Sequence, residues 1–381
     1  MKLYRKYVLT ETLISCGSSV VLFVALLLAG NAMRDIINWL ASGKLNIVET
    51  FKILGILVPS VTSYALPLGI TTGVLIVIGR MSSQNEILSM KSSGIGLLET
   101  AVPILYMALI SSLFSAYVNL YYAPNSISNY RQSFKKFIKQ NPMKFLEPHV
   151  FNDYFKKYLL YFDQIKNEEF KNMRVWQFDE NKKVEAYLFA KSGTIKFDDA
   201  NGNFVLDLKS CNVEKMNKSK SESDGPAVPQ FIYFDNTSFK LPAEDFFGPS
   251  SPAQKGYRHM TLSELLLKKY QLKQKISELP YKNIRDQITL INMQISSRVA
   301  NAVGVFVMAL LAIPLGIKTK RANTAFNTVI AFAVCILYYF VMVAFSWLGD
   351  KPKLRPDILI WLPNVILLIT GISLFKRALR H

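Results

Sequence analysis

A short polar stretch between two apolar stretches carries the most chemically informative side chains of the sequence. Residues 79–96, GRMSSQNEILSMKSSGIG, contain Ser83 and Glu86 at the spacing of a capping box, in which each side chain bonds the other residue's backbone N–H. Gly94 stands where a helix commonly ends in a left-handed residue. The pattern therefore predicts a short helix over residues 83–93.

The predicted helix combines an apolar stripe with a carboxylate, so it can dock on a second surface. Ile87 and Met90 share one stripe with Gly94, whereas Glu86 and Lys91 lie mostly beside or opposite it. A helix of about ten residues is marginally stable alone, so it must rest on something. Two surfaces fit: lipid headgroups, or a cytoplasmic partner protein into which the helix inserts. The residues by themselves leave both open.

Long apolar blocks surround this stretch and define the class of protein. The chain has 381 residues, of which 50% are hydrophobic, and the apolar residues concentrate near both ends. Each block is nearly uncharged and about 20 residues long, enough to cross about 30 Å of hydrocarbon as a helix. The first block is too long for a cleaved signal peptide and is followed by further spans. The sequence therefore predicts a polytopic membrane protein with six spans, at residues 9–33, 51–78, 97–122, 299–317, 325–348 and 358–375.

Glycine and proline residues indicate how the predicted helices meet and where one ends. Glycine allows two helix backbones to approach closely. Close helix contacts are therefore predicted at Gly69, Gly73, Gly94, Gly96 and Gly304. Pro314, near the inner end of the fourth block, predicts a break in that helix, because proline removes a helical hydrogen bond.

The basic residues around the blocks predict the orientation of the chain. The formal net charge of +18 would suggest a nucleic-acid partner in a soluble protein, but here much of it flanks the spans. The side that holds the N-terminus carries Lys2, Arg5, Lys6, Arg80, Lys91, Lys318, Lys320, Arg321, Lys376, Arg377 and Arg380, against Arg34, Lys44, Lys52, Lys351, Lys353 and Arg355 on the other. The positive-inside rule therefore puts both termini in the cytoplasm and residues 123–298 outside. No nucleic-acid partner is expected.

The region between the third and fourth blocks predicts a β domain. Runs of aromatic and β-branched residues occur there, separated or interrupted by Asp-Glu-Asn, Ser-Gly and Asp-Ala-Asn-Gly, at 158–165, 173–180, 184–197, 203–216 and 231–241. They predict antiparallel strands in an all-β sandwich or half-open roll, with a mobile loop at 218–229.

Helices are predicted after this β region in the sequence. Thr261 and Glu264 form a second capping box, so a helix begins there, and a further helical stretch over 284–298 leads into the fourth span. The predicted domains are a first transmembrane half, an external β domain with flanking helices and a second transmembrane half, at residues 1–122, 123–298 and 299–381.

Motifs for enzyme catalysis and metal binding are absent from the sequence. No G-x-x-x-x-G-K-[ST] phosphate loop, H-E-x-x-H or G-x-S-x-G motif occurs. The three cysteines and three histidines have no metal-ligand spacing. We therefore expect no enzymatic activity, no bound metal and no cofactor, and the few charges within the spans argue against an ion-driven carrier.

The order of several motifs resembles one family of membrane proteins. Residues 66–96, LPLGITTGVLIVIGRMSSQNEILSMKSSGIG, are similar to the second span and coupling helix of LptF/LptG permeases. SSRVANAVGVFVMALLAIPLGIKTKR, ILYYF and LIWLPNVILLITGISLFKRAL resemble the family's Pro-Leu-Gly, Tyr-Tyr and Trp-Leu-Pro-Asn landmarks. The resemblance implies a polytopic α-helical membrane protein with six transmembrane helices, three plus three, and an inserted periplasmic all-β jellyroll-like domain.

The same resemblance implies a transporter subunit with defined partners. In that family, two homologous permeases, LptF and LptG, pair with each other and bind a dimer of the cytoplasmic ATPase LptB. The assembly extracts lipopolysaccharide from the bacterial inner membrane and passes it to the periplasmic bridge proteins LptC and LptA. The resemblance implies the same partners and location for this chain, with ATP hydrolysis left to the ATPase. The sequence does not distinguish LptF from LptG.

The resemblance also implies roles for particular residues. The polar stretch corresponds to the coupling helix, with ATPase-coupling candidates at Arg80, Ser83, Glu86, Ile87, Met90 and Lys91. The alternatives are a purely capping role for Glu86 and a membrane-anchoring role for Arg80.

Two arginines correspond to the region where the family meets lipid A phosphates, which a guanidinium binds through two oxygens. Arg34 ends the first span on the outer side, beside Asp35, with which it could instead form a surface ion pair. Arg298 begins the fourth span, where the family has adjacent arginines and this chain has Ser297 and Arg298.

Two other functions remain open from the sequence. One is an ABC-type permease for another envelope lipid, and the other is a membrane-anchored envelope adaptor or enzyme whose β domain is the working part. The missing catalytic motifs and the resemblance of residues 79–96 to a coupling helix favour the lipopolysaccharide permease.

Overall fold

The chain divides into two compact units, which are described separately. The first contains Met1–Tyr130 and Gly256–His381, and the second contains Arg131–Lys255. Residues 123–130 and 256–298, predicted as flanks of the external domain, thus belong to the helical unit. The computed structural model describes residues 2–31, 46–155, 157–166, 169–179, 183–199, 201–216, 229–242, 256–274, 281–317, 324–347 and 354–380.

Ten α-helices occur in the described residues. They are α1 Lys2–Asn31, α2 Ile47–Ser83, α3 Glu86–Ser92, α4 Leu97–Tyr117, α5 Ala123–Gln140, α6 Leu262–Gln274, α7 Tyr281–Ile317, α8 Thr324–Trp347, α9 Pro356–Leu359 and α10 Leu362–Arg380. A π-helical turn at Val118–Tyr122 joins α4 to α5, and 3₁₀ turns occupy Pro142–Phe145 and Tyr257–His259. The predicted capping box forms at the start of α6, where the Thr261 N–H donates to Glu264 Oε2 at 2.8 Å.

Several of these helices are long and apolar enough to cross a membrane. They cover Leu3–Gly30, Ile47–Ser83, Leu97–Gln140, Ile284–Ile317 and Pro356–Leu379. A shorter apolar helical stretch, Phe332–Trp347, lies within α8. The polytopic helical architecture is confirmed, whereas the count of six spans stays a prediction.

The helical unit is built around α2 and α7. The apolar windows of α2 and α7 are 78% and 72% buried, against 17% and 22% for the windows that lie in α1 and α9–α10. The central pair is therefore enclosed by the rest of the unit, and the outer helices leave their apolar side chains exposed, as lipid-facing helices do.

Two of the predicted glycine contacts bring α1 against α2. A Cβ added at Gly69 would lie 2.6 Å from the Val20 Cα, and one at Gly73 would lie 2.5 Å from the Cys16 Cα. A Cβ at Gly304 would lie 2.5 Å from the Tyr338 hydroxyl, so α7 and α8 also meet at a glycine. The predictions for these three glycines are confirmed.

Two other predictions about the helices are wrong. Gly94 and Gly96 have no atom within 4 Å of an added Cβ, because they lie in the turn after α3 rather than between packed helices. Pro314 does not break α7, which continues to Ile317. A proline this close to the end removes one hydrogen bond and leaves only one turn to reorient.

The second unit contains one antiparallel sheet of six strands in the order β1-β2-β3-β4-β5-β6. The strands are β1 Phe151–Phe155, β2 Tyr158–Lys166, β3 Glu169–Phe178, β4 Val184–Asp198, β5 Asn203–Met216 and β6 Pro229–Pro242. The five predicted runs coincide with β2 to β6, and β1 was not predicted. The strand order of the described residues is that of a meander, and a jellyroll-like topology stays a prediction. Most of the predicted mobile loop, 218–228, lies outside the described residues.

The alternating strand residues fill the interior of the sheet unit. Phe162, Phe170 and Phe204 are at most 1% exposed, and Leu160 and Leu206 are fully buried with them. The predicted interruption at Ser192-Gly193 does not end a strand, since β4 runs through both residues. A side chain at Gly193 would collide with the Phe170 ring and the Asp207 carbonyl oxygen, so glycine serves close packing there rather than a turn.

Candidate functional site

The predicted polar helix exists, but it begins later than the sequence suggested. α2 extends to Ser83, and α3 begins at Glu86 after Gln84 and Asn85. The predicted capping box is wrong, because Ser83 is still helical and donates its hydroxyl to the Arg80 carbonyl at 2.9 Å. The residue before α3 is Asn85, in the left-handed conformation with φ 59°, which asparagine tolerates better than most residues.

The end of α3 has the predicted form. Gly94 has φ +80°. The Gly94 N–H donates to the Lys91 carbonyl at 3.1 Å, and the Ile95 N–H donates to the Met90 carbonyl at 2.9 Å. These two bonds define a Schellman motif, which satisfies the last carbonyls of a helix. α3 is therefore a seven-residue helix with a left-handed corner on each side.

The apolar side of α3 docks on its own chain. Ile87 is 7% exposed and shares a hydrophobic cluster with Val8 of α1, Met81 of α2 and Leu97 of α4. Met90 is half-buried. Because the cluster joins residues of α1, α2 and α4 to Ile87, the buried side of α3 belongs to the core of the helical unit.

The opposite side of α3 is open. Leu88 is 64% exposed, and Ser89, Ser92 and Ser93 are exposed beside it. Lys91 is half-buried. The open side of α3 thus presents one large apolar side chain among small polar residues.

Glu86 lies at the edge between the buried and the open side. Its side chain is half-buried, and its Oε2 accepts a hydrogen bond from the Tyr7 hydroxyl at 3.4 Å. Glu86 is also the first residue of α3, where the free backbone N–H groups of a helix favour a negative charge. The carboxylate is thus held by α1 and still accessible from the open side.

Arg80 points toward the first helix. Its Nη2 lies 2.7 Å from Glu11 Oε2, and both side chains are 38% exposed. A half-exposed ion pair of this kind contributes about 1 kcal/mol or less. In this structure the charge of Arg80 is therefore engaged by its own chain.

Sequence reasoning missed the first turns of α1, which line the site. The Tyr4 hydroxyl and Thr100 Oγ1 are hydrogen-bonded at 2.7 Å, and Arg5 Nη2 lies 3.7 Å from Glu99 Oε2. Polar and aromatic residues at the end of a membrane span are normally taken as interface anchors. Nothing in their spacing indicates which other helix they contact.

The site also reaches the second half of the chain. The Ser82 hydroxyl donates to the Ile317 carbonyl at 3.2 Å, which satisfies one of the free carbonyls at the end of α7. An added Cβ at Gly316 would lie 2.7 Å from Ile78 Cγ2, so the backbones of α2 and α7 are close at this end.

Comparison with known proteins identifies the family. The sequence model of the family described as "Lipopolysaccharide export system permease LptF/LptG" matches residues 6–377. The chain belongs to this family. An uncharacterized protein of Rickettsia prowazekii (strain Madrid E) is 23% identical over 163 residues, which are 42% of this chain and 45% of that protein. The chain thus matches less than half the length of that relative.

The chain, as a member of the LptF/LptG family with several long apolar helices, is an integral membrane protein. The match covers both helical halves and the sheet, so the resemblance seen in the motifs is confirmed over nearly the whole chain. The long apolar helices agree with membrane insertion.

The structure describes one of the two predicted lipid-phosphate residues, Arg298. Arg34 lies outside the described residues. Arg298 is 8% exposed, and its Nη2 donates to the Arg258 carbonyl at 3.2 Å. Its Nη1 is buried and has no hydrogen-bond partner within the described part of the chain. A buried guanidinium nitrogen of this kind is costly unless something else binds it.

Proposed function

We propose that this chain is a permease subunit of an ABC transporter that extracts lipopolysaccharide from the inner membrane. It would pass the lipid to a periplasmic bridge towards the outer membrane. The observation that carries the proposal is the family match over residues 6–377, which includes both helical halves and the sheet. The proposed partners are a homologous second permease, an LptB ATPase dimer and the bridge proteins LptC and LptA.

The proposed arrangement has six spans, with both termini in the cytoplasm and a jellyroll-like domain in the periplasm. The hydrogen bonds from Tyr7 to Glu86 and from Ser82 to Ile317 support part of it, because they bring α1, α3 and the end of α7 to one side. The basic residues Lys318, Lys320 and Arg321 follow α7 directly. By the positive-inside rule this side is the cytoplasmic one.

In this proposal α3 is the coupling helix that the ATPase binds. Ile87 and Met90 would hold it on the permease, while Glu86 and Lys91 would meet the charges of the ATPase groove. Ser83 and Arg80 precede the corner at Asn85 and would set the angle at which α3 leaves α2. The open side, with Leu88 and the exposed serines beside it, is the surface that the ATPase would cover.

Arg34 and Arg298 are proposed to bind the phosphates of the lipid. The buried Nη1 of Arg298 supports this role, because a phosphate oxygen would supply its missing acceptor. Arg34 is proposed from its place in the sequence alone, at the outer end of the first span.

The test is purification of the tagged chain from membranes in mild detergent. The expected result is recovery of two permeases with the ATPase, and ATP hydrolysis that appears only with the ATPase and rises with added lipopolysaccharide. ATP hydrolysis that rises with a different envelope lipid, and not with lipopolysaccharide, would indicate a permease for that other lipid. Recovery of the chain without any ATPase would favour a membrane-anchored adaptor and contradict the permease.

A further inference from the structure

We propose that the first turns of α1 form a brace, Tyr4–Glu11, that positions the coupling helix and ties it to α1. Tyr7 and Glu11 are its positioning residues. The inference rests on the proposed function, because it concerns how a push on α3 would reach the rest of the permease.

The brace contacts three different elements from one face of α1. Tyr4 bonds Thr100 of α4 at 2.7 Å, Tyr7 bonds Glu86 of α3 at 3.4 Å, and Glu11 pairs with Arg80 of α2 at 2.7 Å. Spacings of three, four and seven residues place these side chains on the same side of a helix. Val8 lies between them and is fully buried.

α3 needs such a brace because it cannot hold its own orientation. It has seven residues, fewer than an isolated helix needs to be stable. Asn85 and Gly94, on its two sides, both have positive φ, so the chain turns sharply before and after it. The hydrogen bond from Tyr7 and the burial of Ile87 hold the helix against the rest of the unit.

α1 is suited to carry a displacement away from this corner. It is a single helix of 30 residues without proline, about 45 Å long at 1.5 Å per residue. α2 contains Pro59 and Pro67, and α4 contains Pro103, at which helices commonly bend. α1 also packs backbone to backbone on α2 at Gly69 and Gly73, so movement of α1 must be accommodated by α2.

The experiment uses the reconstituted complex of this chain with its second permease and ATPase. Tyr7→Phe removes one hydroxyl and keeps the ring, and Glu11→Gln removes one charge and keeps the shape. We expect both variants to assemble with unchanged basal ATP hydrolysis and to lose lipopolysaccharide stimulation by about three- to tenfold, the scale of one ordinary hydrogen bond or half-exposed ion pair. The matched controls are Tyr106→Phe on α4 and Glu49→Gln at the start of α2, which should retain stimulation.

A charge exchange separates positioning from general damage. Glu11→Arg and Arg80→Glu should each lower the ratio of stimulated to basal hydrolysis, and the double variant should return it to within about twofold of wild type, because the ion pair re-forms with reversed charges. Loss of fold alone would not be repaired by a second substitution.

The outcomes distinguish the brace from the function on which it rests. If wild type recovers its ATPase, and Tyr7→Phe, Glu11→Gln and the single exchanges all keep full stimulation, the brace is wrong and the permease stands. Failure of the double exchange to restore stimulation also contradicts the brace. If wild type itself recovers no ATPase, the permease assignment and the brace fall together.

Discussion

Glu86 carries the sharpest prediction at the scale of single residues. The capping box with Ser83 is not formed, so among the described residues its carboxylate has two favourable interactions: the Tyr7 hydroxyl and the N–H end of α3. A partner groove on the open side would add a third. Substitution of Glu86 therefore tests these interactions, without loss of an N-cap.

We expect Glu86→Lys to abolish export and to reduce the amount of ATPase that copurifies. It places a cation at the positive end of a helix and, in the proposed arrangement, opposite a basic groove of the ATPase, and both effects are unfavourable. Glu86→Gln should be intermediate, since it keeps the shape and a hydrogen-bond acceptor for Tyr7. If α3 rested on anionic lipid instead, the lysine would strengthen its attachment. Normal export and ATPase recovery with Glu86→Lys would contradict the coupling role.

At the scale of elements, the pattern of apolar residues predicted the helices and most strands. Single proline, glycine and capping residues predicted the ends of those elements less well. The runs at 158–165 and 203–216 became β2 and β5 because alternating side chains have one buried face to satisfy. Pro314 and Ser192-Gly193 wrongly predicted interruptions, because the helix and the strand that contain them continue through these residues, packed on their neighbours. Ser83 failed as a cap for the same kind of reason, since α2 had not yet ended.

The contact between α1 and α2 gives a prediction with a control in the same helix. Gly73→Ala adds a methyl group 2.5 Å from the Cys16 Cα, so the two helices must separate. We expect Gly73→Ala to lower the free energy of unfolding by about 1–3 kcal/mol, as extra methyl groups do at other tightly packed sites. Gly55→Ala, with nothing within 4 Å, should be neutral or stabilising by up to about 1 kcal/mol. Thermal unfolding of the detergent-solubilised protein measures both, and equal melting temperatures would contradict the close packing.

At the scale of the whole molecule, the sequence predicted the family and a polytopic helical protein with a separate antiparallel sheet, but not the contacts within the candidate site. The match over residues 6–377 confirms the family that the motifs at 66–96 and in the last third indicated. The brace could not be predicted because Tyr7 and Glu86 are 79 residues apart in the sequence, and no local sequence pattern specifies which helix ends meet. For the same reason the burial of Arg298 against Arg258 could not be read from its position at the start of a span.

The orientation of the chain gives the last prediction, and the native cysteines allow it to be measured without their removal. Cys16, Cys211 and Cys335 are buried, and burial raises the pKa of the Cys211 thiol above its usual value, so little reactive thiolate forms near neutral pH. Wild type should therefore react with a membrane-impermeant maleimide at least about tenfold more slowly than an exposed cysteine.

Lys209→Cys, on an exposed position of β5, should label in intact spheroplasts. Leu3→Cys, at a position that is 86% exposed near the N-terminus, should label only after the membrane is opened. The reverse pattern would place the sheet in the cytoplasm and overturn the proposed topology, while rapid labelling of wild type would contradict the burial of Cys211.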